Sequence, residues 1–127
     1  MDRPPAEGDS IRINLQRREL SAQVSAVRFK DCDTNQVIVY IPSMDISGYG
    51  DTVTEAEALL KECVNNFFTH LTTLNQKKMD AELSRLGWKK TKFFNKRFTH
   101  PLIDVDGSLQ NFNVEPNSVE RFSLHAA

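Results

Sequence analysis

Between Trp88 and His100, four aromatic residues (Trp88, Phe93, Phe94 and Phe98) are interleaved with five cations, Lys89, Lys90, Lys92, Lys96 and Arg97. Cations neutralise phosphates and aromatic faces stack bases, so this composition suits single-stranded nucleic acid. His100 closes the stretch, and its imidazole would serve as general base for attack by a ribose 2'-hydroxyl if RNA lay there. The same letters also describe an amphipathic strand with aromatic side chains turned inward and lysines in water. In that reading His100 is a strand histidine beside Pro101.

Other chemistry-bearing residues are scattered. His70, His100 and His125 share no metal-ligand spacing, and no His-Glu-x-x-His or His-Cys cluster occurs. Cys32 and Cys63 lie far apart without Cys-x-x-Cys spacing, which indicates neither a disulfide framework nor a zinc site. No pair of carboxylates is brought together by helical or strand spacing, and no serine or cysteine has a recognisable base partner. The run Ser47-Gly-Tyr-Gly-Asp-Thr precedes a helix, whose N-terminus can hold a phosphate. It carries no glycine-rich phosphate fingerprint, however, and Asp51 sets a carboxylate where an anion would sit. A plain strand-to-helix turn that uses glycine for its backbone freedom accounts for it. No catalytic residue, cofactor or metal is expected from these patterns, with His100 the one candidate base.

Composition narrows the class. The 127 residues suit one domain, and 16 basic against 17 acidic residues leave a net charge of -1, so nucleic acid or an anionic membrane would have to be met by a local patch. No apolar run approaches the roughly 20 residues of a membrane helix, and the first ten residues lack an apolar signal core. A soluble, unprocessed, cytoplasmic protein is expected, with no membrane partner.

The elements that must position these residues follow from periodicity. Residues 1–9, with Pro4, Pro5 and Gly8, read as a flexible lead-in. Ile11, Ile13 and Leu15 alternate with polar residues as in a half-buried strand. From Leu20 the apolar residues Ala22, Val24 and Ala26 switch phase to Val27 and Phe29, as in a strand that carries a bulge or passes from one face to the other. Asp31 to Asn35 is turn chemistry, and Val37 to Ile41 is an unbroken run suited to a central strand. Pro42 stops it, and a glycine turn at Gly48 and Gly50 leads to a helix over 53–74. Thr52 and Glu55 form a capping box at its start, and Val53, Ala56, Leu60, Cys63 or Val64, Phe67, Leu71 and Leu74 form its apolar stripe. A second helix over 76–86 ends at Gly87. Beyond it lie extended segments, among them 109–114 and 119–125, punctuated by turns at 104–107 and 115–118.

The strand Val37 to Pro42, the Gly50-Asp51-Thr52 turn and the Glu55-Ala56 pair that opens the helix resemble the HicB-like antitoxin family over about residues 21–75. The resemblance implies a small sheet on one long helix, of order βββαβ, a partial double-stranded-RNA-binding-domain fold. It also implies a protein that masks a small, basic HicA-like toxin which cleaves messenger RNA. The loop from Pro42 to Gly50 is one residue shorter than the family's, and no DNA-binding helix-turn-helix or ribbon-helix-helix follows. Residues 77–114 faintly resemble a HicA-like toxin core, with Phe98-Thr99-His100 where that family has Gly-Ser-His.

The fold expected is therefore α+β, an antiparallel sheet on the helix at 53–74. A flexible segment covers 1–9, an α+β core 10–75, and a helix with strands 76–127. The expected function is a protein-binding module, with exposed strand edges that suit pairing into a homodimer. The alternative is an RNA-binding or RNA-cleaving protein using Lys89, Lys90, Lys92, Lys96, Arg97 and His100.

Overall fold

A computed structural model describes residues 8–14, 16–91, 94–101 and 105–126, with the side chains of 94–96, 105 and 106 outside that description. The elements in chain order are β1 (Asp9–Asn14), β2 (Glu19–Lys30), β3 (Val37–Ile41), β4 (Ile46–Gly50), α1 (Val53–Thr73), α2 (Gln76–Arg85), β5 (Lys89–Thr91), β6 (Phe94–His100), α3 (Val105–Ser108), a 3-10 turn (Leu109–Asn111) and β7 (Glu120–Ala126). All strand pairings are antiparallel, and they join in one seven-stranded sheet among the described residues. The protein is α+β, with the sheet packed against one long helix and a shorter second helix. The C-terminal strands belong to this same sheet, since β6 pairs with β1 and β7 with β2.

The organiser is β2. Ala22 and Gln23 are flanked by Ile11 and Ser10 of β1 and by Ala126 and His125 of β7. Val27 and Arg28 are flanked by Tyr40 and Val39 of β3 and again by β7. A strand has two edges, so β7 takes one edge while β1 and β3 follow each other along the other. Between the last β1 pairing at Gln23 and the first β3 pairing at Val27, the Ser25 N–H has no strand opposite it. Asp9 Oδ1 accepts its hydrogen bond at 2.9 Å, which satisfies a backbone donor that burial would otherwise penalise. Asp9 is thus a buried member of β1, only 3% exposed, and not part of a flexible lead-in.

The phase switch in β2 has no bulge behind it, because its register with β7 runs unbroken from Ala22 to Arg28. It marks a change in which face is covered. Leu20, Ala22, Val24 and Ala26 face the main core beneath α1 and α2, which also takes Val37, Val39, Ile41, Leu60, Val64, Leu71, Leu83 and Trp88. Val27 and Phe29 face the other way into a second cluster with Leu109, Ile38, Tyr40, Phe112 and Val114. Phe112 packs edge-on against Phe29 at 5.3 Å and against Tyr40 at 4.9 Å. The segment over 109–114, expected as a strand, is instead a 3-10 turn followed by a single bridge from Val114 to Asp31. The turn expected over 104–107 is helical at Val105–Ser108. Both changes let apolar side chains cover β2 and β3, which ladder formation would have spread along a new edge.

The Ser47-to-Gly50 run is likewise a strand, β4, and not a turn. The chain reverses earlier, at 42–45, where Met44 N–H donates to Ile41 O and Asp45 N–H to Pro42 O. Neither Gly48 nor Gly50 has a positive φ. Their missing side chains serve close approach: a Cβ on Gly48 would lie 2.3 Å from Ala56 O and 2.5 Å from Leu60 N, and one on Gly50 would lie 2.5 Å from Glu55 Cβ. The glycines bring the α1 backbone directly onto β4.

Gly48→Ala is expected to destabilise the fold by at least about 2 kcal/mol, because the obstructing atoms are helix backbone and cannot rotate away; a urea midpoint unchanged from the parent would contradict this. The Tyr40 hydroxyl donates to Asp45 Oδ1 at 2.9 Å, and burial, then the Asp45 carboxylate, push the phenol up to about 12. The folded state favours the neutral phenol, so this contribution to stability is complete below the ordinary tyrosine value near 10. It is lost as pH rises through about 12. Ultraviolet titration of a Tyr49→Phe protein should report Tyr40 alone at that high value, and adding Asp45→Asn should bring it down.

Candidate functional site

The strand-to-helix junction is built by local chemistry. Thr52 is extended and caps α1, its hydroxyl oxygen accepting from Glu55 N–H at 3.1 Å. The Glu55 carboxylate meets the Thr52 hydroxyl at 3.3 Å, so the reciprocal arm of the capping box closes on the hydroxyl and not on the backbone N–H. Ala56 is fully buried under this turn, and Pro42 opens the hairpin loop that precedes β4. Pro42, Gly50, Asp51, Thr52, Glu55 and Ala56 therefore shape the junction. None of them gathers a nucleophile or a base.

What the junction exposes is a surface that sequence reading did not single out. Tyr49, 58% exposed, lies on the face of β4 turned away from α1, opposite Ile38, and Val53, 39% exposed, is the first residue of α1. Asp51 before α1 and Glu55, Glu57, Lys61 and Glu62 along it are exposed, Glu57 in an ion pair with Arg28. β4 pairs with β3 along one edge and has no strand on the other among the described residues. The open edge of β4 thus runs between exposed Tyr49 on one face of the sheet and, on the other, α1 with Val53 and its carboxylates. Strand alternation alone foretells an outward Tyr49, but only once the glycine run is read as a strand.

The basic aromatic segment divides between the two faces of the sheet. Trp88 and Phe98 are buried, 1% and 2% exposed, and offer no ring face for a base to stack on. Lys90 lies on the core side, its ammonium bonded to Asp80 Oδ2 and 5.9 Å from the centre of the Phe98 ring. Lys89 and Arg97 lie on the opposite face. Lys92 and Phe93 fall outside the described residues, as do the side chains of Phe94 and Lys96.

His100 is built into the fold. Its Nδ1 lies 2.9 Å from Pro101 O and its Nε2 2.9 Å from Leu86 O, so both ring nitrogens are occupied by backbone carbonyls. The ring stands edge-on to Trp88 at 5.2 Å, and a Cβ on Gly87 would come within 2.7 Å of Nε2. Leu86 is the C-cap of α2, and Gly87 has φ +97. His100 thereby satisfies a carbonyl that the end of α2 leaves open. A buried imidazole engaged at both nitrogens is poorly placed to take a proton from a substrate hydroxyl. Trp88 Nε1 donates to Ser43 O at 2.9 Å, tying the hairpin loop to the same locus.

The remaining histidines stand apart, His70 exposed on α1 and His125 on β7, where its Nδ1 is 3.4 Å from Gln23 Oε1. Among the described residues no group of His, Cys, Asp and Glu is arranged to hold a metal ion. No helix there is long and apolar enough to cross a membrane. Two surface hollows, of about 550 Å³ beside Arg12, Arg18 and Phe68 and about 510 Å³ between α1 and β7, bring no nucleophile to a base. No known protein family, curated protein or solved structure matches the chain.

His100→Ala is expected to lower stability by about 2–4 kcal/mol, since the ring leaves a void beside Trp88 and a backbone carbonyl loses its partner. Chemical denaturation measures it, and a loss under about 1 kcal/mol would show that the imidazole is not structural.

Proposed function

We propose that the chain is a HicB-like, antitoxin-type protein-binding module that recognises a small basic protein of the HicA-like, RNA-cleaving kind at the β4–α1 corner. The observation that carries the reading is the open edge of β4, with exposed Tyr49 on one face of the sheet and Val53 and the α1 carboxylates on the other. Aromatic residues with large exposed area are the usual energetic anchors of protein interfaces. An unpaired strand edge accepts a partner strand by backbone hydrogen bonding. Carboxylates along the helix beside such an edge favour a cationic partner and speed its arrival.

The family resemblance supports the same reading, because its residues, from Val37 through Ala56, build this corner and not a reaction centre. Recognition in this account is carried by surface and leaves His100 to its structural role. Masking would follow from steric cover of the partner's RNA-binding face.

Co-expression with small basic toxins of the HicA type should restore growth and yield a co-purifying complex. Tyr49→Ala should weaken that complex by about 30-fold, the effect of losing a contact worth ~2 kcal/mol. Failure of every such protein to bind, or a Tyr49→Ala complex of unchanged affinity, would overturn the proposal.

A further inference from the structure

On the sheet face opposite α1, the C-terminal segment covers only the part formed by β3 and the end of β2, where Leu109, Phe112 and Val114 pack. That apolar cluster does not extend over the other part, formed by β1, β5, β6 and the start of β2. Alternation assigns its side chains: Ile11 and Phe98 are a cross-strand pair facing the core, so their neighbours Arg12 and Arg97, also directly paired, face outward together. Thr99 lies on that face with Ser10, and its partner on β5 is Lys89. Ser21 and Gln23 of β2 complete it.

Arg12 and Arg97 are therefore like charges set directly opposite on one face, an arrangement that destabilises a sheet. Neither makes an ion pair among the described residues, and the Arg97 Nε is buried without a hydrogen-bond partner. Glu19 shares the face but stands across from Asn14 and pairs with neither arginine. Lys89 is one strand and two residues from Arg97, about 8 Å by strand geometry. The three cations span the face from β1 to β5. What would relieve their mutual repulsion is an anion carrying more than one charge.

The character of the face indicates which anion. Protein interfaces are centred on apolar or aromatic side chains, and among the described residues the large exposed apolar ones, Tyr49, Val53 and Val119, lie elsewhere. Here the surroundings of the cations are Ser10, Ser21, Gln23 and Thr99, hydroxyl and amide groups that hydrogen-bond to phosphate and sugar. Nucleic-acid interfaces are of this polar, cationic kind. We propose that the open half-face carrying Arg12, Arg97 and Lys89 binds the phosphodiester backbone of a nucleic acid. With Trp88 and Phe98 buried, binding runs through phosphates without base stacking and carries little sequence preference. It uses the face of the sheet opposite α1 and is independent of partner capture at the β4–α1 corner.

The test is fluorescence anisotropy of the full chain with a labelled single-stranded RNA and a labelled duplex DNA, titrated at several salt concentrations. Salt-dependent binding is expected, with a log–log salt slope near -2 for the single strand, as three phosphate contacts require at about 0.7 each. The duplex should give a slope near -2.7 on the same count, and the tighter of the two identifies the source of the phosphates. Arg12→Gln, an exposed change, should weaken binding about eightfold at 50 mM salt and remove about 0.7 from the single-strand slope. Lys89→Gln should do the same. Lys90→Gln, on the core side, should leave affinity unchanged. Absence of binding to both nucleic acids at low salt, equal losses in the Lys90 variant, or capture of an acidic polypeptide in place of either would overturn the proposal. Toxin-type partners are absent from this assay, so its outcome is separate from that of the corner.

Discussion

The edge of β2 is the constraint on which the rest of the structure depends. This strand of twelve residues, about 40 Å long, is shared along one side by β1 and then β3. The handover leaves one backbone N–H, that of Ser25, facing neither strand. A buried peptide donor without an acceptor is costly, and the Asp9 carboxylate supplies the acceptor from within the hydrophobic interior. Around this point the structure gathers Ser43, Trp88 and His100, each contributing or receiving a bond that ties together segments far apart in sequence. Trp88 holds the β3–β4 loop through Ser43 O, and His100 holds the end of α2 through Leu86 O.

The divided edge also divides the molecule. Where β3 and β4 follow β2, one face is covered by α1 and the other by Leu109, Phe112 and Val114, giving two apolar layers. Where β1, β6 and β5 follow it, the core side lies under the helices and the other side is left polar. Close approach of α1 to β4 is allowed only because Gly48 and Gly50 carry no side chain, and it leaves Tyr49 exposed on the far face of β4 and Val53 exposed at the start of α1. The unpaired arginines lie on the sheet face opposite α1. A chain of net charge -1 thus presents an acidic, partly apolar corner and a separate cationic face, which a global charge count hides.

The segment from Trp88 to His100 shows why composition is an incomplete guide to chemistry. Its aromatic and basic residues satisfy the recipe for a stacking surface, yet alternation along β6 and packing under α2 send Trp88, Phe98 and His100 inward. Lys90 follows them as far as its ion pair with Asp80. The cations that remain on the outer face gain their significance from a residue far away in the chain, Arg12, which the β1–β6 register sets beside Arg97.

Local chemistry determined much of this protein by itself. Side-chain periodicity carried the helices at 53–73 and 76–85, the central strand at 37–41 and the strand at 120–126, because amphipathic spacing reports directly which faces leave water. Thr52, Glu55 and Gly87 marked helix ends through hydrogen bonds and backbone freedom confined to a few residues. The phase switch from Ala26 to Val27 announced a change of face. Only the tertiary structure decided what caused it, since the covering residues, Leu109 and Phe112, are remote in sequence. The same holds for Gly48 and Gly50: as letters they signal a turn, whereas the helix backbone that excludes a Cβ exists only after α1 folds onto β4. Asp9, placed by sequence in a lead-in, is buried because the opposing strands leave Ser25 N–H without an acceptor, a condition created by long-range pairing and by nothing within reach along the chain.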